Sequence, residues 1–158
     1  MLNGEKTVSA SEVVMTQLVL PSHTNALDTI FGGVIMSWID ICGAIAAQRH
    51  SQKSVVTASI DELNFVAPVK KGWVVNLKAR VNFVSNTSLE VGVRVDAENP
   101  MTGEMFHTAT AYLTFVAIGS NGKPSAMPAL VLKNADDERR FAEGKKRREL
   151  RLANRKKR

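Results

Sequence analysis

One aspartate interrupts the most apolar stretch of this 158-residue chain. From Gly33 to Ala47 the segment carries Val34, Ile35, Met36, Trp38, Ile39, Ile41, Cys42, Ala44 and Ile45, with Asp40 in its midst. Apolar residues on every helical face predict a helix buried all round. A charged carboxylate there is costly unless it is paired, hydrogen-bonded or protonated. The positions three and four residues away hold Met36, Ser37, Gly43 and Ala44, so no ion pair within the helix relieves Asp40. A carboxylate held in a low-dielectric pocket suits a general base or a nucleophile. The structural alternative is a buried acid satisfied by backbone N–H groups or a distant basic side chain.

The rest of the chain must cover that helix. Val13 to Leu20 reads as a strand ended by Pro21, and the polar loop Ser22 to Asp28 leads into the helix. Ser54 to Val66 is rich in β-branched residues and stops at Pro68 and Gly72. From Trp73 the residues alternate, with Trp73, Val75, Leu77, Ala79, Val81 and Phe83 expected on one face. After the turn Ser85-Asn86-Thr87, Leu89, Val91, Val93 and Val95 alternate again. Met105 to Ile118 is apolar on both faces and predicts a central strand or one that meets another subunit. One strand, one helix and four antiparallel strands cannot bury the helix with a flat sheet. The sheet must curl around it, with a second subunit closing the remainder. The fold expected is therefore α+β, a hot-dog: a curved antiparallel five-stranded sheet wrapped around one long central helix. One domain over residues 1–133 is expected, followed by a basic, charged, solvated helical extension over 134–158.

Charge divides the chain at the same place. Residues 1–133 hold ten Lys and Arg against ten Asp and Glu, and residues 134–158 hold eleven against five. The whole excess of +6 lies in the tail. A neutral body makes a nucleic-acid partner a weak reading, even though basic tails bind phosphate backbones. Asp40, two glycines and the strands that follow argue against reading the apolar run as a membrane span. The N-terminus lacks the charged-then-apolar pattern of a signal peptide, and a soluble, cytoplasmic protein is expected. The single Cys42 excludes an internal disulfide and is expected to be inert packing. His23, His50 and His107 have no metal-ligand spacing and are expected at the surface or at helix ends. No metal or cofactor is expected.

Gly32-Gly33 at the helix start reads either as a turn or as an oxyanion site built from free N–H groups. Seven residues of helix separate Gly33 from Asp40 by about 10 Å, too far for both to act on one carbonyl within one subunit. A pocket shared between two subunits removes that difficulty. Asn25 reads as a turn residue or as an amide that orients water or polarises a carbonyl, and Asp28 as a turn or cap residue.

These residues resemble a known family. His23-Thr24-Asn25, Phe31-Gly32-Gly33, Met36 to Asp40 and Gly43-Ala44 are similar to the acyl-CoA hydrolases of the hot-dog superfamily. Within that superfamily they resemble the cytosolic or brain-type acyl-CoA hydrolases and their bacterial short-chain relatives. The likeness runs through Val56 to Asp61, Asn64-Phe65, Lys70-Lys71-Gly72 and Phe83 to Glu90 to Phe141 through Lys145, covering roughly residues 10–150. It implies hydrolysis of an acyl-CoA thioester to a free acid and coenzyme A, which enters as part of the substrate. Asn25 and Asp40 would form the active pair from opposite subunits, with Gly32 and Gly33 as oxyanion donors. Vertebrate relatives hold two such domains in one chain. This single domain would pair with itself, and the dimer would assemble further, a trimer of dimers being expected. Candidates for the CoA phosphates are Arg80, Ser85, Asn86, Thr87, Ser88, Lys145 and Arg148; Met36, Val56, Asn64 and Phe65 are candidates for the acyl pocket. A non-catalytic acyl-CoA sensor or scaffold of the same fold is the alternative. Hot-dog dehydratases use a His with an acidic residue, and a helix holding only Asp40 argues against dehydration.

Overall fold

A computed structural model describes residues 4–157; Met1–Asn3 and Arg158, the outer ends of the two expected segments, lie outside the described residues. Seven strands and two long helices follow in the order β1 (Glu5–Thr7), β2 (Val13–Leu18), α1 (Gly32–Ser51), β3 (Ser54–Phe65), β4 (Val74–Val84), β5 (Ser88–Glu98), β6 (Met105–Ile118), β7 (Ala129–Val131) and α2 (Ala135–Arg155). Five strands form one antiparallel sheet in the order β2-β4-β5-β6-β3. The short β1 and β7 pair parallel to each other, an addition that three-residue strands give too little pattern to reveal.

Cross-strand register decides which residues share a face. Val55, Thr57 and Ile60 of β3 oppose Ala117, Phe115 and Leu113, which oppose or neighbour Leu89 and Val91 on β5. This is the face toward α1, since a methyl at Gly43 would meet the Phe115 ring at 3.2 Å and Val93 at 3.6 Å. Val75, Leu77, Ala79 and Val81 complete it from β4. Phe83 does not. A β-bulge between Val81 and Phe83 places Phe83 opposite Glu90 and turns its ring to the outer face, against Phe141 at 4.8 Å. Strict alternation from Trp73 assigned it inward; one inserted residue reverses that.

The two helices lie on opposite faces of the sheet. Ile35, Trp38, Ile39, Cys42, Ala46 and Ala47 of α1 are buried against the inner face. The expectation of burial all round fails within one protomer: Gly33, Met36, Ser37 and Ile41 are exposed and Asp40 is half-buried. The sheet covers one side of the helix, and none of the described residues covers the other.

α2 is docked, where a solvated extension was expected. Asn134 caps it by accepting from the Asp137 N–H at 2.8 Å. Its start is fixed by Arg80, which donates to Asp136 at 3.1 Å and Asp137 at 2.8 Å. Gly144 lets it touch the sheet, because a methyl there would fall 2.9 Å from the Phe83 Cβ. Arg147 then forks onto Glu90 at 2.9 and 2.7 Å and lies 3.7 Å over the Tyr112 ring. Arg151 reaches Asp61 on β3 at 3.0 Å. The helix thus crosses the outer face from β4 to β3, and its arginines neutralise acids of the body.

Candidate active site

The open stripe of α1 carries the chemistry-bearing residues. Asp40 Oδ1 accepts a hydrogen bond from the Thr57 hydroxyl at 2.7 Å. Thr57 is on β3, whose burial pattern contains no fully buried residue because it is an edge strand with one side unpaired. The acid is therefore held by a neutral donor and left open beside an uncovered strand. Sequence reasoning missed Thr57, since nothing in a β-branched strand marks one Thr as the residue that register brings to the helix.

Seven residues earlier the helix begins with unpaired donors. Phe31 is the N-cap without a side-chain cap, and its carbonyl accepts from Val34 at 3.0 Å and Ile35 at 3.4 Å. Among the described residues the Gly32 and Gly33 N–H groups have no acceptor, as expected for the first turn of a helix. A methyl at Gly32 would press to 3.2 Å on the Phe65 ring, whereas Gly33 has open space around it. An anion or a developing oxyanion can approach these donors at Gly33.

Asn25 sits at the tip side of a small folded loop. Its backbone N–H donates to Thr29 at 2.9 Å, and its Oδ1 accepts from the Leu27 N–H at 2.9 Å and from the Thr29 hydroxyl at 3.2 Å. Oδ1 holds the loop, as the turn reading expects, and the amide Nδ2 has no partner among the described residues. Asp28 occupies the left-handed region at φ 58° and faces Lys71 at 3.5 Å. Ile30 donates to Val69 at 2.8 Å, tying the loop to the body.

The expected acyl-pocket residues divide by register. Phe65 opposes Ala109 on the inner face, and Met36 lies on the open stripe of α1. Val56 and Asn64 oppose Val116 and Thr110, on the outer face, away from Asp40. The expected phosphate ligands divide too. Arg80 is engaged by Glu12, Asp136 and Asp137, which leaves it no free charge. Ser85 and Ser88 hydrogen-bond to each other at 2.8 Å within the β4–β5 turn that also holds Asn86 and Thr87. Lys145 and Arg148 carry no ion pair among the described residues.

Other titratable groups are structural. Burial pushes the Cys42 thiol up to about 11, which keeps it protonated and inert. His50 is wholly buried, donates from Nε2 to the Pro128 carbonyl at 2.7 Å, and is held below the usual imidazole value by burial. It is a helix-end residue but not a surface one.

A family model of the thioesterase superfamily matches residues 27–104. The uncharacterized acyl-CoA thioester hydrolase YkhA of Bacillus subtilis is 43% identical over 127 residues, 80% of this chain and 74% of that protein. This chain belongs to the hot-dog acyl-CoA thioester hydrolase family. The mouse cytosolic acyl coenzyme A thioester hydrolase is 38% identical over 92% of the chain, which spans 39% of that protein's length. The acyl-CoA hydrolase of Staphylococcus aureus, solved with butyryl coenzyme A and coenzyme A, superposes with a TM-score of 0.89 at 33% identity, covering 97% of this chain and 93% of that one. An apo hexameric acyl-CoA thioesterase gives a TM-score of 0.91 at 36% identity, covering 96% and 97%. Variants of the Staphylococcus enzyme have been solved with one Asp, one Asn or one Thr replaced by Ala. Those three lie along its chain at the same separations as Asn25, Asp40 and Thr57 here.

Proposed function

We propose that this chain hydrolyses acyl-CoA thioesters at sites shared between two protomers. Water adds to the thioester carbonyl, the C–S bond breaks, and the products are a carboxylic acid and the thiol of coenzyme A. Asp40 takes the proton from the attacking water and returns it to the leaving thiolate, or, in the alternative route, attacks the thioester first to give a mixed anhydride that water then hydrolyses; Thr57 fixes the orientation of its carboxylate. Asn25 and the Gly33 N–H, with Gly32 beside it, come from the partner and polarise the carbonyl oxygen. The observation that carries this reading is Asp40 bonded to Thr57 on the uncovered side of α1, about two helical turns from unpaired N–H donors.

The occupant of the uncovered side is a second copy. Met36 and Ile41 are 40% and 51% exposed and Phe65 and Val66 are 45% and 69% exposed beside the free edge of the 12-residue strand β3. Apolar surface of that extent beside a free edge marks an interface. Higher assembly as a trimer of dimers fits the hexameric relative. Met36 and Phe65 border the acyl chain; Val56 and Asn64, on the other face, are left out. Lys145 and Arg148, with the Ser85-Asn86-Thr87-Ser88 turn, are the candidates for the CoA phosphates, and Arg80 is left out because three carboxylates already surround it. Reduced, buried Cys42 fits a cytoplasmic setting.

Thiol release from acyl-CoAs of graded chain length tests the proposal. Wild type should turn over, and Asp40→Ala should bind CoA without releasing thiol. Binding without turnover in the wild type would replace the enzyme with an acyl-CoA sensor.

A further inference from the structure

His23 has no part in the chemistry above, yet it ties the Asn25 loop to the end of β2, to the start of α1 and to the core. Its N–H donates to the Leu20 carbonyl at 2.9 Å, and its ring Nδ1 accepts from the Leu20 N–H at 3.0 Å. Its own carbonyl accepts from the Phe31 N–H at 3.0 Å. The ring stands edge-to-face with Trp38, at 5.1 Å between centroids and 85° between planes. Trp38 is 7% exposed, packed into the core.

These contacts fix one particular relation. Phe31 is the N-cap of α1, so the bond from Phe31 to His23 ties the loop to the point where the Gly32 and Gly33 donors begin. Asn25 is two residues beyond His23, and Thr24 and Ile30 form a β-bridge that carries the same register inward. Trp38 holds the imidazole against the helix and Leu20 holds it against the end of β2. An imidazole that accepts at Nδ1 carries its proton on Nε2, so the ring acts here as the neutral tautomer.

We infer that His23 is a positioning residue: it sets Asn25 relative to the Gly33 N–H, and thereby builds one half-site, which meets the Asp40–Thr57 half-site of the partner. This rests on the two-protomer reading proposed above. Two electrophilic groups acting on one carbonyl oxygen need placement to well under 1 Å, and misplacement on that scale costs rate more than affinity. His23 acts on its own loop, not on Asp40 of its own chain, and that distinction is measurable.

His23→Phe keeps a ring against Trp38 and removes the acceptor for Leu20. Its kcat should fall roughly tenfold with KM changed by less than about twofold. His23→Asn restores an acceptor at the position of Nδ1 and should recover most of kcat; if His23→Phe does not assemble, His23→Ala against His23→Asn makes the same comparison. Equal kcat in the wild type and the acceptor-less variant overturns the inference, and so does an Asn variant as impaired as Phe. The second arm uses mixed oligomers, obtained by co-expressing differently tagged chains. A dimer of one His23→Phe and one Asp40→Ala protomer contains one site with both lesions and one with neither. It should be several-fold more active than the mean of its two parents. A mixed dimer no better than that mean shows that His23 acts through its own Asp40 helix or through folding, and overturns the proposal. Asn25→Ala mixed with Asp40→Ala is the control. If that mixture is silent, the shared-site reading fails, and the kcat comparison alone then decides whether His23 positions the loop.

Discussion

α1 and α2 are of similar length, lie on opposite faces of one sheet, and reverse what their compositions imply. α1 is almost wholly apolar, yet one side of it is uncovered and bears Asp40. α2 is mostly charged, yet it is docked along its length by Arg147, Arg151 and the carboxylates that meet Arg80. The difference lies in what each face meets. Apolar surface states only that water is to be excluded, not by what, so an open apolar stripe is an invitation to another copy. Paired guanidinium and carboxylate groups specify a single geometry and need no partner beyond the protomer.

The comparison is broken most severely at Asp40. Asp40→Ala should lower kcat/KM for acyl-CoA by about 10³, read by thiol release, with the melting temperature held or raised. A loss of less than tenfold would remove Asp40 from the chemistry and leave the open stripe as interface alone. On the other helix, Glu90→Ala leaves Arg147 facing an unpaired Asn82 and should cost about 3 kcal/mol in chemical denaturation, with kcat per folded site little changed. If it abolished turnover while the fold survived, the outer face would no longer be a purely structural one. Thr57→Val removes the bond to Asp40 and should lower kcat roughly tenfold. Lys145→Glu with Arg148→Glu should raise KM for acyl-CoA by about tenfold and leave kcat alone, with the effect shrinking at high salt.

The smallest expected effect is a pH dependence at the end of α1. Burial holds His50 below its ordinary 6.5, so the unfolded chain takes up a proton on it before the folded chain does. Stability should therefore be complete above about pH 6.5 and decline as pH falls from there toward the lowered folded value. Melting temperatures measured through that range should show the decline, and His50→Gln should flatten it.

Much of the fold was legible because periodicity survives without tertiary information. The β6 limits Met105–Ile118 and the helix that starts at the Gly32-Gly33 pair follow from pattern alone. Phe83 was misassigned because a bulge inserts a residue without leaving a trace in the alternation. No pattern assigns Val56 and Asn64 to a face, because β3 does not alternate cleanly and its side chains are placed only by their register against β6. Thr57 was invisible for that cause too, as was His23, whose role depends on Leu20, Phe31 and Trp38 meeting in space.

By itself the sequence determined that an acid stands in an apolar helix opened by two glycines, and that four strands of set periodicity follow it. Those are consequences of residue type and spacing, which local sterics and hydrophobic burial convert directly into helix and strand. Tertiary structure alone decided which side of α1 stays open, that Thr57 reaches Asp40, and that the basic tail lies across the sheet. Each depends on contacts between residues 17 to 90 positions apart, such as Thr57 with Asp40 and Arg151 with Asp61. Distances of that kind are set by strand register and helix placement, quantities that no window of sequence contains.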